Sequence, residues 1–311
     1  MRILVTGAAG FIGSHVTRRI AQEGHEIWAV LLPGESTERL TDLLDCINVV
    51  RADLRAQAAV RDLVSSAKPQ GAIHLAWYAA AGKYWTSGEN VGCAAMSLSL
   101  AQALAEAGCS RLVAAGTCAE YDWDYGFLSE DVTPLKPRTL YGVSKNATRQ
   151  ILQAFCNSVS MGFAWTRFFY IYGPGEAKER LVPSVILALL SGQTARCTEG
   201  TQMRDFLHVE DVASAVWAVA QSDLQGPVNI GSGQPVKVRA IAETIAKLVG
   251  GDGALALGAL PTDPHDPFLL VPDVRKLRRH TGWTPSLPLD EGMRRTIAWW
   301  RERLERKVSE A

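Results

Sequence analysis

The sequence carries no excess charge of either sign. Its 32 Lys and Arg residues are matched by 32 Asp and Glu, so no net field favours nucleic acid or an anionic membrane surface. No uncharged apolar run approaches the ~18–20 residues that would span a bilayer. The N-terminus has no basic region followed by an apolar stretch, and Met1–Thr6 enters a strand-like run at once. No secretory leader and a cytoplasmic location are therefore expected. The six cysteines, at 46, 93, 109, 118, 156 and 197, show no CxxC and no metal-ligand spacing. Reduced, buried thiols and no metal site follow from that pattern. Internal repeats and low-complexity segments are also missing. What remains is a chain of 311 residues, about half of them apolar, long enough for one large domain or two modest ones.

Short apolar runs alternate with helical stretches from the first residues. Strands are predicted at Arg2–Thr6, Glu26–Leu32, Asn48–Ala52, Ala72–Ala76, Arg111–Ala115 and Ala164–Phe169. Helices are predicted from the first glycine-rich turn to Glu23, over Gln57–Ala67 and Asn90–Glu106, and from Tyr141 to Ser158. This rhythm specifies an α/β, Rossmann-like, doubly wound parallel sheet, with its ligand outside the carboxyl ends of the strands. After Gly173-Pro174-Gly175 the composition changes. Helices are predicted at Leu181–Ser191, Val209–Gln221, Val238–Leu248 and Leu289–Arg306, with a proline-rich loop over Gly250–Pro272. The division expected is a dinucleotide-binding domain over 1–173 with a return segment near 205–228. A smaller, interleaved substrate-binding portion takes 174–204 and 229–311.

Gly7, Gly10 and Gly13 lie three residues apart, directly after a strand and opening a helix. That spacing lets the backbone approach a pyrophosphate, and the first amides of the helix, from Phe11 and Ile12 onward, supply donors. An acidic residue that grips the ribose 2′-hydroxyl is usual about 20 positions on. Leu31, Leu32 and Pro33 stand there instead, and Glu35 comes three residues late. Ser36, Thr37 and Arg39 follow and suit a 2′-phosphate, so NADP(H) is favoured, with NAD(H) as the alternative. Asp53, followed by Leu54, ends the third strand, where its carboxylate could bond the adenine amine or cap the next turn.

Tyr141 and Lys145 are spaced i, i+4 and share a helical face. A free tyrosine has a pKa near ~10 and is a poor base at neutral pH. A neighbouring ammonium and a nicotinamide cation would favour the phenolate, which can then exchange a proton with a carbinol while hydride moves at carbon. Thr117, after the fifth strand, is placed to polarise a substrate oxygen or to cap a turn. Trp77, Tyr78, Tyr84 and Trp85 follow the fourth strand, as stacking surfaces or as core.

Together these residues resemble the extended short-chain dehydrogenases/reductases, and within them the NAD-dependent epimerase/dehydratase family that modifies nucleotide sugars. The resemblance extends to His74-Leu75-Ala76, to Asn90, and to the segments 167–174, 204–212, 229–233 and 282–285. It implies a Thr117–Tyr141–Lys145 triad that oxidises a sugar hydroxyl reversibly. It also implies cofactor contacts at Leu75, Ala76 and Asn90, and a substrate diphosphate held by Arg204. Arg204 could instead pair with Asp205 at the surface. Arg180 is a second candidate cation for the diphosphate, or a solvated one. Tyr170 replaces the family's usual asparagine, and Asp263 lies near where a second phosphate-binding arginine is usual. Cys118 and Ala119 replace the Asp-Glu pair of sugar dehydratases, which argues against dehydration. Glu120, one place late, bonds substrate or is solvated. The implied function is NAD(P)H-dependent reduction of a nucleotide-linked keto-deoxysugar, with an NAD-dependent nucleotide-sugar epimerase as the alternative and a non-catalytic NADP sensor as a third. A homodimer through the 90–106 and 141–158 helices is expected, because the first is apolar on more faces than one sheet covers.

Overall fold

The computed structural model describes residues 1–250 and 255–309. Seven strands form one sheet: β1 (Arg2–Thr6), β2 (Glu26–Leu31), β3 (Asn48–Arg51), β4 (Gly71–His74), β5 (Arg111–Thr117), and then β7 (Gly162–Phe168) and β11 (Gly226–Ile230), with the short β6 (Phe127–Leu128) lying elsewhere. Their order is β11-β7-β5-β4-β1-β2-β3, and every pairing is parallel. The order reverses between β1 and β4, which opens a crevice at their carboxyl ends.

Parallel strands covered on both faces read as continuous apolar runs, and Leu4, Val5, Ile73, Val113 and Ala114 are all buried. Helix α1 (Phe11–Gln22) covers one face, with α6 (Val209–Gln221) beside it; α2 (Gln57–Ala67), α3 (Glu89–Glu106) and α4 (Leu140–Ser158) cover the other. Helix α3 is apolar nearly all round, and Val91 on α3 with Val143 and Ile151 on α4 remain exposed.

The remaining elements are β8 (Tyr170–Tyr172), α5 (Leu181–Leu190), β9 (Ala195–Arg196), β10 (Met203–His208), β12 (Pro235–Lys237), α7 (Val238–Val249), β13 (Leu255–Ala256), β14 (Leu269–Pro272), α8 (Arg275–Thr281) and α9 (Leu289–Ser309). A second sheet runs β12-β10-β14-β6, with β8 beside β10. Its core joins α5, α7 and α9 through Val185, Ile241, Ile245, Met293 and Ile297.

Strands β6, β8, β9, β10, β11 and β12 stand where the sequence suggests none. The expected loop over 250–272 contains β13 and β14, while its residues 251–254 lie outside the described residues. The fourth strand stops at His74, so Leu75 and Ala76 belong to the crevice loop. Among the described residues, no helix is long and apolar enough to cross a membrane, and no cluster of acidic, His and Cys side chains could hold a metal ion.

Candidate active site

The turn between β1 and α1 is built for backbone approach. Gly7 has φ +66°, a left-handed conformation that glycine alone adopts freely, and a Cβ there would lie 2.9 Å from the Ala76 nitrogen. A Cβ on Gly13 would lie 1.9 Å from the Gly7 carbonyl oxygen. Gly10 precedes α1, and no side chain caps the helix, so its first amides are left for an anion. This cradle fits a dinucleotide pyrophosphate.

At the end of β2 a carboxylate returns from further along the chain. The Glu35 carboxylate folds back and accepts the Leu32 amide at 2.9 Å. Arg51, at the end of β3, donates to the Leu32 and Glu35 carbonyls at 3.2 and 2.9 Å. Arg39 is spent elsewhere, donating to the carbonyls of Ala9 at 3.3 Å and Gly175 at 3.0 Å. The Ser36 hydroxyl accepts the Glu38 amide. Asp53 closes a local turn with Arg55, whose side chain and amide hold its carboxyl below the usual range, and Leu54 is buried under α2.

The loop after β4 is held from below. His74 lies between the hydroxyls of Thr6 (2.7 Å) and Ser97 (2.8 Å), and burial lowers its pKa to about 3, keeping the ring neutral. Asn90 is fully buried. Its amide donates to the Tyr84 and Ser87 carbonyls at 2.7 and 2.8 Å, and its oxygen accepts the Trp77 indole N–H at 2.8 Å. All of its bonds go to the loop, which makes it a staple.

Thr117, Tyr141 and Lys145 come together at the crevice. Thr117 ends β5, and Tyr141 and Lys145 share one face of α4. The Thr117 hydroxyl beside Tyr141 favours the phenolate, but burial outweighs this and raises the phenol above its ordinary pKa. The lowering expected from Lys145 is therefore not a property of the protein's own groups. The lysine ammonium donates to the Ala115 carbonyl at 2.7 Å and lies 3.7 Å from the centroid of the Trp77 ring. Burial lowers Lys145 to about 7. Tyr84 and Trp85 pack edge-on around Tyr141, with ring centroids at 4.8 and 5.7 Å, and Trp123, which the sequence did not single out, stands against Trp85 at 6.4 Å.

Glu120 is neither solvated nor aimed at substrate. It accepts the Thr117 amide (2.9 Å), the Trp165 indole (2.8 Å) and Arg167 Nε (2.8 Å), all without exposure. This locks the strand end that presents Thr117. Cys118 beside it is pushed up to about 12 by burial and by Glu120.

On the substrate side, Arg204 is buried and its partner is not Asp205, which instead binds the turn at Ser232–Gln234. Arg204 donates to the Tyr170 hydroxyl (3.0 Å), the Met203 carbonyl (2.8 Å) and Asp266 (2.5 Å). Asp266 is 31% exposed. Arg180, exposed, lies 5.5 Å from the Tyr84 ring centroid.

The model of the NAD-dependent epimerase/dehydratase family matches residues 3–231. The chain belongs to this family. It is an NAD(P)-dependent oxidoreductase of the extended short-chain dehydrogenase/reductase type. Among known proteins it is 30% identical to UDP-glucuronic acid decarboxylase 1 of Xenopus tropicalis, across 99% of this chain and 74% of that one. The solved structure of MoeE5 in complex with UDP-glucose and NAD is 31% identical, with TM-score 0.83, covering 98% of this chain and 100% of the other. UDP-glucose 4-epimerase of Thermotoga maritima shares the fold at TM-score 0.87 and 24% identity, over 98% and 100% of the two chains.

Two features of the site could not be read from local sequence. Trp77 was visible as an aromatic but not as the group over Lys145, and the only signal for Asp266 was acidity in its segment. Glu35 stands three residues past the usual place, and its distance along the chain hides its return to the strand end.

Proposed function

We propose that this chain is an NAD-dependent epimerase of a nucleotide sugar that retains its cofactor through the reaction. The observation that carries this reading is the Glu35 carboxylate at the Leu32 amide. A carboxylate there suits the ribose hydroxyl of NAD and repels a 2′-phosphate. The reductase expectation rests on Ser36, Thr37 and Arg39 holding that phosphate, and Arg39 is committed to two backbone carbonyls. The absence of an acid or base at Cys118 and Ala119 leaves the triad alone to act, which suffices for redox at one carbinol and not for elimination.

NAD, when bound in the glycine cradle, supplies a hydride acceptor that returns the hydride later. Tyr141, as the phenolate that the Lys145 ammonium and a bound nicotinamide cation would favour, takes the proton from the sugar hydroxyl and gives it back after the sugar has turned its other face. Thr117 hydrogen-bonds the phenol and orients the carbinol. Lys145 offers its ammonium to the ribose and to that phenolate. The diphosphate takes Arg204 from Asp266, with Arg180 as second cation, in a substrate portion over 174–204 and 229–311. The exposed apolar strip at Val91, Val143 and Ile151 supports a homodimer through α3 and α4.

The test is spectroscopic and chemical. Purified protein is denatured and its released nucleotide measured, then UDP-sugars are offered without added cofactor. Stoichiometric NAD(H) and interconversion of epimers are expected, and Tyr141→Phe should lose turnover by ~10²–10⁴-fold. Protein that carries no nucleotide and consumes NADPH with a keto-sugar would restore the reductase.

A further inference from the structure

Lys145 is a buried cation with no carboxylate partner of its own among the described residues. It is 3% exposed. Glu120, the nearest acidic influence on it, is consumed by Arg167, Trp165 and Thr117. Cys93 on α3 also favours its charge, and His74 on β4 faces it as a neutral ring. Tyr141 precedes it by one turn of α4, and on β7 the Trp165 ring centroid is 5.7 Å away.

An ammonium has three N–H donors. One is fixed by the Ala115 carbonyl at 2.7 Å, and the amine lies 3.7 Å from the centroid of the Trp77 face. Two directions are thus taken by the chain. Trp77 is itself immobilised, because its indole N–H is held by Asn90 and Asn90 is held by the Tyr84 and Ser87 carbonyls. We propose that Trp77 is a positioning residue for Lys145. Its indole face replaces a counter-ion, favours the protonated form of the buried amine, and aims the remaining N–H at the cofactor ribose and Tyr141. This rests on the role given to Lys145 under the proposed function and adds a residue to it. The negative face of an indole attracts an ammonium most strongly where water is excluded, and this one is excluded from water.

The experiment reads the amine directly. The full-length protein is labelled with ¹³C at lysine Cε, the Lys145 signal is assigned by its loss in Lys145→Arg, and its titration is followed in wild type, Trp77→Phe and Trp77→Leu. Trp77→Phe keeps an aromatic face and should hold most of the wild-type midpoint. Trp77→Leu keeps bulk without a face and should lower the midpoint by about one pH unit. The alkaline limb of kcat/KM should move to lower pH with it. Should Trp77→Leu not fold, Trp77→Met repeats the measurement with a flexible apolar filler. A midpoint unchanged in Trp77→Leu, or moved equally by Phe and Leu, overturns the proposal. The titration needs no substrate, so failure of the epimerase reading and failure of this contact appear in separate measurements.

Discussion

Replacing Lys145 by methionine should make the protein more stable while abolishing its chemistry. The amine falls from 10.5 to about 7, chiefly through burial. At ~1.4 kcal/mol per pH unit, holding it charged at pH 6 costs the fold up to ~5 kcal/mol. Methionine fills similar space without that cost. It leaves the Ala115 carbonyl without its donor, a loss of ~1–3 kcal/mol, and gives up the ring contact with Trp77. A net gain of ~1–3 kcal/mol remains, and with an unfolding entropy of ~2.1 cal/mol/K per residue that raises Tm by ~2–5 °C in a chain of this length. The pH dependence carries a definite sign. Between about pH 7 and 10.5 the unfolded state holds a proton that the folded state has released, so wild-type stability rises with pH there. The advantage of Lys145→Met is therefore full below about 7 and shrinks as pH rises towards 10.5. Thermal and urea unfolding of both proteins at pH 6 and 9.5 would check it. A variant less stable than wild type at pH 6, or a gain of equal size at both pH values, would refute the reasoning.

Three further outcomes are expected. Asp266→Asn frees the buried Arg204 guanidinium and should tighten UDP binding by ~5–10-fold in calorimetry, since a charge-assisted bond to phosphate no longer competes with a carboxylate; weaker binding would count against the diphosphate assignment. Glu120→Ala leaves Arg167 buried beside no anion and should cost ~3–5 kcal/mol in urea unfolding, with a loss below ~1 kcal/mol speaking against the locking role. His15, His74 and His208 are lowered to about 4, 3 and 4, each chiefly by burial. The unfolded chain takes up protons below pH 6.5 that the folded chain refuses, so stability should fall steadily from pH 6.5 towards 4. A flat stability across that range would show that the rings titrate normally.

Most of the main sheet was legible because parallel strands buried on both faces are written as apolar runs. The bounds read for α2 and α6 coincide with those in the structure. Strand β10 was hidden because its sequence, Met203–His208, contains Arg204 and Asp205, which are buried against partners far along the chain. Strand β11 was hidden by Pro227, which the sheet tolerates because β11 is its edge. The same rule separates the legible from the illegible in the site. The glycine turn and the Tyr141–Lys145 pair act through neighbours within a few residues, so spacing reveals them. Trp77 over Lys145 and Asp266 on Arg204 depend on side chains brought together only by the fold.

The electroneutral composition also hides three buried cations among the described residues, and the way each is neutralised sorts them by function. Arg167 is paired with Glu120, and both are essentially without exposure. Removing water from both partners makes the pair rigid and difficult to exchange, which suits a group that only holds Thr117 in place. Arg204 is equally buried, yet its partner Asp266 is 31% exposed, so an incoming anion can replace the carboxylate without crossing the core. Lys145 has no anion and is held by a carbonyl and ring faces. Neither can accept its charge, so the ammonium keeps its full attraction for a phenolate forming one helical turn away. A carboxylate in the place of Trp77 would stabilise the resting lysine better and would cancel the field that the tyrosine needs.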